Sequence, residues 1–154
     1  MNNTKKITYV FLQGRKQRIN ARKEISKEFF YTYFYAVKNY TNVEIVEMEN
    51  FEPTISQKFL RKVDSFINKL SKLPIYTYAI FKRKNLKIFK QSDFVILSND
   101  RVAFSSLPMI WLTKIGNPDV SFSFFVMGLF SNFPKYRIQT FLRNILIKMM
   151  LKKV

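Results

Sequence analysis

An α/β fold, a parallel sheet flanked by helices, is what this sequence predicts. Four segments, residues 7–13, 42–48, 93–99 and 120–127, are apolar, β-branched and aromatic in the manner of strands. A helical pattern follows each, and that alternation marks parallel strands joined by crossover helices. Hydrophobic residues make up 47% of the 154 positions and glycine occurs three times, which suits one packed domain and not a disordered arm. Ligands of such sheets bind beyond the carboxyl ends of the strands. The turns after Gln13, Asn99 and Met127 are therefore the expected functional rim.

The first strand, Ile7-Thr-Tyr-Val-Phe-Leu-Gln, has a central-strand composition and ends at Gly14, where a residue without Cβ can turn sharply. Residues 15–23 carry five cations in nine positions. Asn20 is the expected N-cap of a helix running to about Tyr40, with Ile25, Phe29, Ala36 and Tyr40 as its core-facing stripe. The second strand sets Val43 and Ile45 against Glu44 and Glu47, the alternation of a sheet edge.

Thr54 caps the next predicted helix, and Pro74 ends it. Its stripe is Phe59, Val63, Phe66, Ile67 and Leu70, opposite Lys58, Arg61, Lys62, Lys69 and Lys72. Residues 75–90 read as an aromatic connector with a short helix near 85–90. Aromatics beside clustered cations suit a membrane interface or stacked single-stranded nucleic acid, but packing on the sheet is the favoured reading.

The third strand is buried and central, ending in the polar turn Asn99-Asp100-Arg101. An apolar helix over 102–115 follows, where Pro108 implies a delayed start or a kink. Gly116-Asn-Pro-Asp is a turn, Gly128 ends the fourth strand, and Pro134 closes the next loop. The last helix, about 135–153, is the clearest amphipath. Its stripe is Ile138, Phe141, Leu142, Ile145, Leu146, Met149 and Met150, and its cations have no acidic partner in the helix. That helix runs to Val154 with no strand after it, so the fold is expected as one half of something larger.

There is no Cys and no His, which excludes disulfides, thiolate nucleophiles, zinc-finger sites and histidine acid/base chemistry. Proton transfer within the chain must use one of ten carboxylates, a Lys or a Tyr. The net charge of +17 predicts attraction to a polyanion, with nucleic acid and anionic lipid as candidates. The abundance of Lys, Asn, Ile, Phe and Tyr is also the mix of an AT-rich genome, so codon drift on a solvated surface competes with that reading. No segment has the length and apolarity of a membrane span, and the start is unlike a signal peptide. The expected compartment is the cytoplasm.

Four phrases, Val10-Phe-Leu-Gln-Gly-Arg15, Ile96-Leu-Ser-Asn-Asp100, Phe104-Ser-Ser-Leu-Pro108 and Phe125-Val-Met-Gly-Leu129, together resemble the N-terminal, acceptor-side domain of GT-B glycosyltransferases of the family 4 type. The resemblance covers nearly the whole chain in element order. It implies an incomplete Rossmann-like sheet, the N-terminal half of a GT-B fold. It also implies a nucleotide-sugar donor held by a C-terminal domain, which is expected to be missing here, leaving the chain inactive alone. The implied acceptor is a sugar or lipid-linked hydroxyl at the cytoplasmic membrane face, in polysaccharide or glycolipid synthesis. No metal and no cofactor are implied within this chain. Many relatives place a His after the fourth strand; the matching Phe125-Val-Met-Gly128 has none.

By position, the resemblance sets Gly14 and Arg15 beside the donor diphosphate, with Gly128 on the same rim. Asn99 and Asp100 would face the acceptor, Asp100 as the carboxylate that accepts a proton. An ordinary strand-ending turn accounts for Gly14 equally, and helix capping is the favoured account of Asp100. The chain lacks Gly-x-Gly-x-x-Gly, which argues against an independent dinucleotide site. Arg18, Arg137, Arg143 and Lys148 are the expected membrane contacts. The alternative function is a non-catalytic basic module docking peripherally on the inner face of the cell membrane. Nucleic-acid binding rests on charge alone, with no recognised motif, and is disfavoured.

Overall fold

The strand β1 (Lys6–Leu12) is hydrogen-bonded on both sides and fixes the architecture. The computed structural model describes residues 5–21, 30, 32–49, 54–126 and 134–153. Among them, β1, β2 (Asn42–Met48), β3 (Phe94–Leu97) and β4 (Ser121–Phe124) form one sheet in the order β2-β1-β3-β4. Every pairing is parallel, with Val10 opposite Val46 on one side and Leu97 on the other. The predicted α/β class, the central β1 and β3 and the edge position of β2 are all observed. The ends of β3 and β4 are shorter than predicted, and Met127 and Gly128 lie outside the described residues.

Among the described residues, five α-helices lie between strands, α1 (Arg15–Asn20), α2 (Tyr33–Asn39), α3 (Ile55–Ser71), α4 (Arg83–Lys90) and α5 (Asp100–Gly116), and α6 (Arg137–Leu151) follows β4. A 3₁₀ turn at Thr77–Ala79 precedes α4. The single helix predicted over 20–40 is not observed as such. Gly14 adopts a left-handed conformation (φ 86°) and the chain enters α1 at once, so Asn20 is the last residue of that helix and not the N-cap of the next. Of the predicted stripe, Ala36 is buried and Tyr40 half-buried; Ile25 and Phe29 lie outside the described residues. The helix start near Pro108 is not delayed either. The Asn99 cap lets α5 begin at Asp100, with Pro108 in its interior.

The two faces of the sheet hold separate apolar clusters. Ile7, Tyr9 and Phe11 point to one face, where Phe30, Tyr33 and Ala36 cover them. The Tyr9 hydroxyl meets Thr32 Oγ1 at 3.0 Å, tying the start of α2 to β1. Val10, Val95, Leu97 and Phe122 point to the other face, under α4 and α5. Most of the circumference of α5 is buried, leaving one exposed stripe of Arg101, Pro108, Leu112 and Ile115, as expected of a helix with the sheet on one side and a partial further layer on the other. That further layer is α3 and α6, which pack on each other, α3 also on the 3₁₀ turn and α6 on α5.

This outer position turns α3 by about one residue relative to its pattern, with Asp64, Ile67, Asn68 and Ser71 on the inward side. Of its predicted core stripe, Phe59 is 68% and Phe66 64% exposed and Val63 is exposed too, while Ile67 packs on the core and Leu70 is half-buried. The buried residues of α3 are Asp64 and Ser71. Asp64 Oδ2 accepts the Tyr78 amide at 3.1 Å. Asn68 donates to the Ile75 carbonyl at 2.7 Å and accepts its amide at 2.8 Å. Ser71 Oγ accepts from the Leu73 amide at 3.2 Å. The segment after α3 is irregular, so its backbone groups need partners, and the polar side of α3 supplies them. The amino end of the helix is secured by the predicted Thr54, in a capping box with Gln57.

Burial raises the Asp64 carboxyl above its ordinary range, while hydrogen bonds from Tyr78 and Thr77 pull it partly back. The folded chain therefore holds this proton more tightly than the unfolded chain. Its contribution is greatest at acid pH and declines as pH rises from about 4 through the raised value. Asp64→Asn keeps an oxygen for the Tyr78 amide and removes the ionisation. Urea unfolding across pH should show a flatter stability profile in that window for the variant; an unchanged slope would refute the assignment.

Candidate functional site

The exits of the central strands are level. The Ser98 amide donates to the Val10 carbonyl at 3.1 Å, and the Phe125 amide to the Leu97 carbonyl at 3.2 Å. Residues 13–15, 98–101 and 125–126 thus share one rim at the carboxyl end of the sheet. The structure brings Gly14, Arg15, Asn99 and Asp100 to it. Gly128 lies outside the described residues.

At the first exit, the space around Gly14 would admit a Cβ, but its positive φ would strain any other residue. The requirement there is conformational. The Lys16 amide, one of the open donors at the start of α1, is taken at 2.7 Å by Glu47 of β2. A carboxylate of the protein itself therefore occupies a position where an anion could sit. The Arg15 guanidinium lies 5.9 Å from the centroid of the Phe30 ring, against the aromatic cluster of that sheet face.

At the second exit, Asn99 has extended backbone and its Oδ1 accepts the Val102 amide at 3.0 Å. The capping role considered for Asp100 belongs to Asn99. Asp100 is instead the first residue inside α5 and is 6% exposed. Arg101 is solvent-exposed, with its guanidinium 4.0 Å from the centroid of Tyr76. The Tyr76 amide donates to Ser105 Oγ at 2.8 Å, and that hydroxyl donates to the Arg101 carbonyl at 2.6 Å. The connector is thereby fastened to the first turn of α5, holding an aromatic plane and a planar cation at the rim. Sequence reasoning did not assign Arg101 or Tyr76 to the site. A cation two positions after the strand-ending Asn was the available signal.

The four expected membrane contacts do not share one surface. Arg137 and Lys148 are exposed on α6. Arg18 is exposed on α1, whose Ile19 packs on the opposite sheet face. Arg143 is 5% exposed, seven residues from the buried Met150 and on the same inner side of α6. Its burial lowers its pKa, the reverse of what a solvent-facing contact would show.

A groove of about 440 Å³ runs along the outer edge of β2, lined by Lys16, Glu44, Glu47, Glu49, Lys82 and Asn85 among others. Its charges are largely matched: Lys6 pairs with Glu44 at 2.9 Å and Lys82 with Glu49. It meets the rim at Lys16 and Glu47. Among the described residues, no group of three or more His, Cys, Asp or Glu is placed to hold a metal, and no helix is long and apolar enough to cross a membrane.

No protein-family model, curated protein or solved structure matches the chain.

The cap at the start of α5 sets a stability test. Asn99→Ala should lower unfolding free energy by about 1 kcal/mol, and Asn99→Asp should restore most of it. Denaturant midpoints measure both; equal losses in the two variants would show that the side-chain oxygen does not hold the helix start.

Proposed function

We propose that this chain is the acceptor-side lobe of a GT-B-type glycosyltransferase. It would work in transfer of a sugar from a nucleotide-sugar donor to the hydroxyl of a sugar or lipid-linked acceptor, in cell-surface polysaccharide or glycolipid synthesis. The observation supporting this reading is the pair of adjacent parallel exits: a left-handed Gly14 turn beside an Asn99-capped α5. A rim of this kind lies where open α/β sheets receive ligands.

The roles divide by chemistry. Asp100 accepts the proton of the attacking hydroxyl as its oxygen bonds to the anomeric carbon and the nucleoside diphosphate departs. Glu47 and Glu49 stand at the end of β2, whereas Asp100 stands at the exit of the central β3. Arg101 on Tyr76 offers a planar cation and an apolar face for an acceptor sugar. The donor requires a companion lobe across the rim, and the reading assigns no metal to this chain. The place of action is the cytoplasmic face of the membrane.

Transfer from a panel of nucleotide-sugars to lipid-linked and soluble acceptors, using the entire encoded product, tests this. Asp100→Asn should cut kcat by about 10²–10⁴ while the far-ultraviolet dichroism stays unchanged. Absence of transfer with every donor would refute the enzyme, and full activity of the variant would refute the role of Asp100.

A further inference from the structure

The outer layer carries a surface that the rim does not use. α3 is turned: Asp64 and Asn68 are locked to residues 75–78 and Ile67 packs on the core, while Ile55, Phe59 and Phe66 stand in solvent. α6 is split in the same sense. Leu146, Met149 and Met150 pack inward, whereas Ile138 is 71% and Phe141 65% exposed. Gln139 of α6 donates to the Lys69 carbonyl near the end of α3, so Ile138 and Phe141 start beside the turn of Phe66, with Phe59 and Ile55 farther along α3. Exposed aromatic and aliphatic side chains gathered this way mark an interaction surface.

Charge identifies the partner. Lys58, Lys62 and Lys69 on α3 and Arg137 and Lys148 on α6 are exposed among the apolar residues. Asp64 is the one carboxylate in either helix, and it is buried. Pairing two copies through this face would set cations against cations. Ile55 and Ile138 offer nucleobases no stacking plane, whereas hydrocarbon accepts them as readily as it does phenylalanine. We propose that the outer face of α3 and α6 docks on an anionic lipid bilayer. Phe59, Phe66, Ile138 and Phe141 enter the acyl boundary while the lysines meet headgroup phosphates, as in interfacial amphipathic helices. This inference does not rest on the glycosyltransferase reading, since none of its residues belongs to the rim.

Co-sedimentation of the intact chain with phosphatidylcholine vesicles, with and without phosphatidylglycerol, tests it. Binding should require the anionic lipid and weaken as salt rises. Phe66→Ser with Phe141→Ser should lower the partition coefficient by about tenfold or more, with an unchanged melting temperature. Lys62→Glu with Lys148→Glu should lower it by about tenfold or more. The same charge change on α4, Arg83→Glu with Lys87→Glu, should have a much smaller effect. Recovery in the supernatant with both lipids, or equal losses for the α4 and outer-face variants, would overturn the proposal. So would light scattering showing a dimer that the Phe66→Ser, Phe141→Ser pair dissolves, since the face would then belong to a second copy.

Discussion

The pairing of β1 with parallel neighbours on both sides is the constraint from which the rest follows. A parallel neighbour cannot be reached by a tight hairpin, so each connection must cross back over a face of the sheet. Residues of β1 are buried toward both faces, with Val10, Tyr9 and Phe11 each at most 1% exposed. Two apolar clusters result, one under the α2 side and one under α4 and α5. The same pairing sets Gly14 and Asn99 at neighbouring exits although 85 positions separate them. Their proximity is a property of the sheet, and the chemistry proposed for the rim depends on it.

The outer layer obeys a different constraint. Residues 73–80 run irregularly beneath α3, and their amides and carbonyls must find partners away from water. Asp64, Asn68 and Ser71 provide them, each bond worth about 1 kcal/mol net and far more costly to leave unmade. Satisfying the buried backbone takes precedence over burying Phe59 and Phe66. The inward side of α3 is therefore mixed, with Ile67 on the core beside Asp64, Asn68 and Ser71 on the backbone.

What was legible in the sequence is what depends on neighbours in the chain. β-branched and aromatic runs located β1 and β3. The charged Glu44 and Glu47 among apolar residues marked β2 as an edge, and Thr54 marked the start of α3. Gly14 and Asn99 were found because both follow strands directly. Orientation was not legible: periodicity draws a stripe on α3 and α6 without saying which way it faces, and so it also misplaced Arg143. Asn20 was misread because the turn at Gly14 already starts the helix. The remaining features join distant positions. Glu47 reaches the Lys16 amide across 31 residues and Tyr76 reaches Ser105 across 29. No local pattern encodes such pairs.

The outer margin of β2 carries a consequence for how the molecule behaves in company. Glu44 and Glu47 project to opposite sides of the strand, and Glu44 is already engaged by Lys6. A foreign strand adding itself there would have to strip water from two carboxylates and loosen an existing ion pair. Charged side chains on open margins are a general defence against such recruitment. The most acidic stretch of a strongly basic chain thus stands where strand addition at this margin would begin.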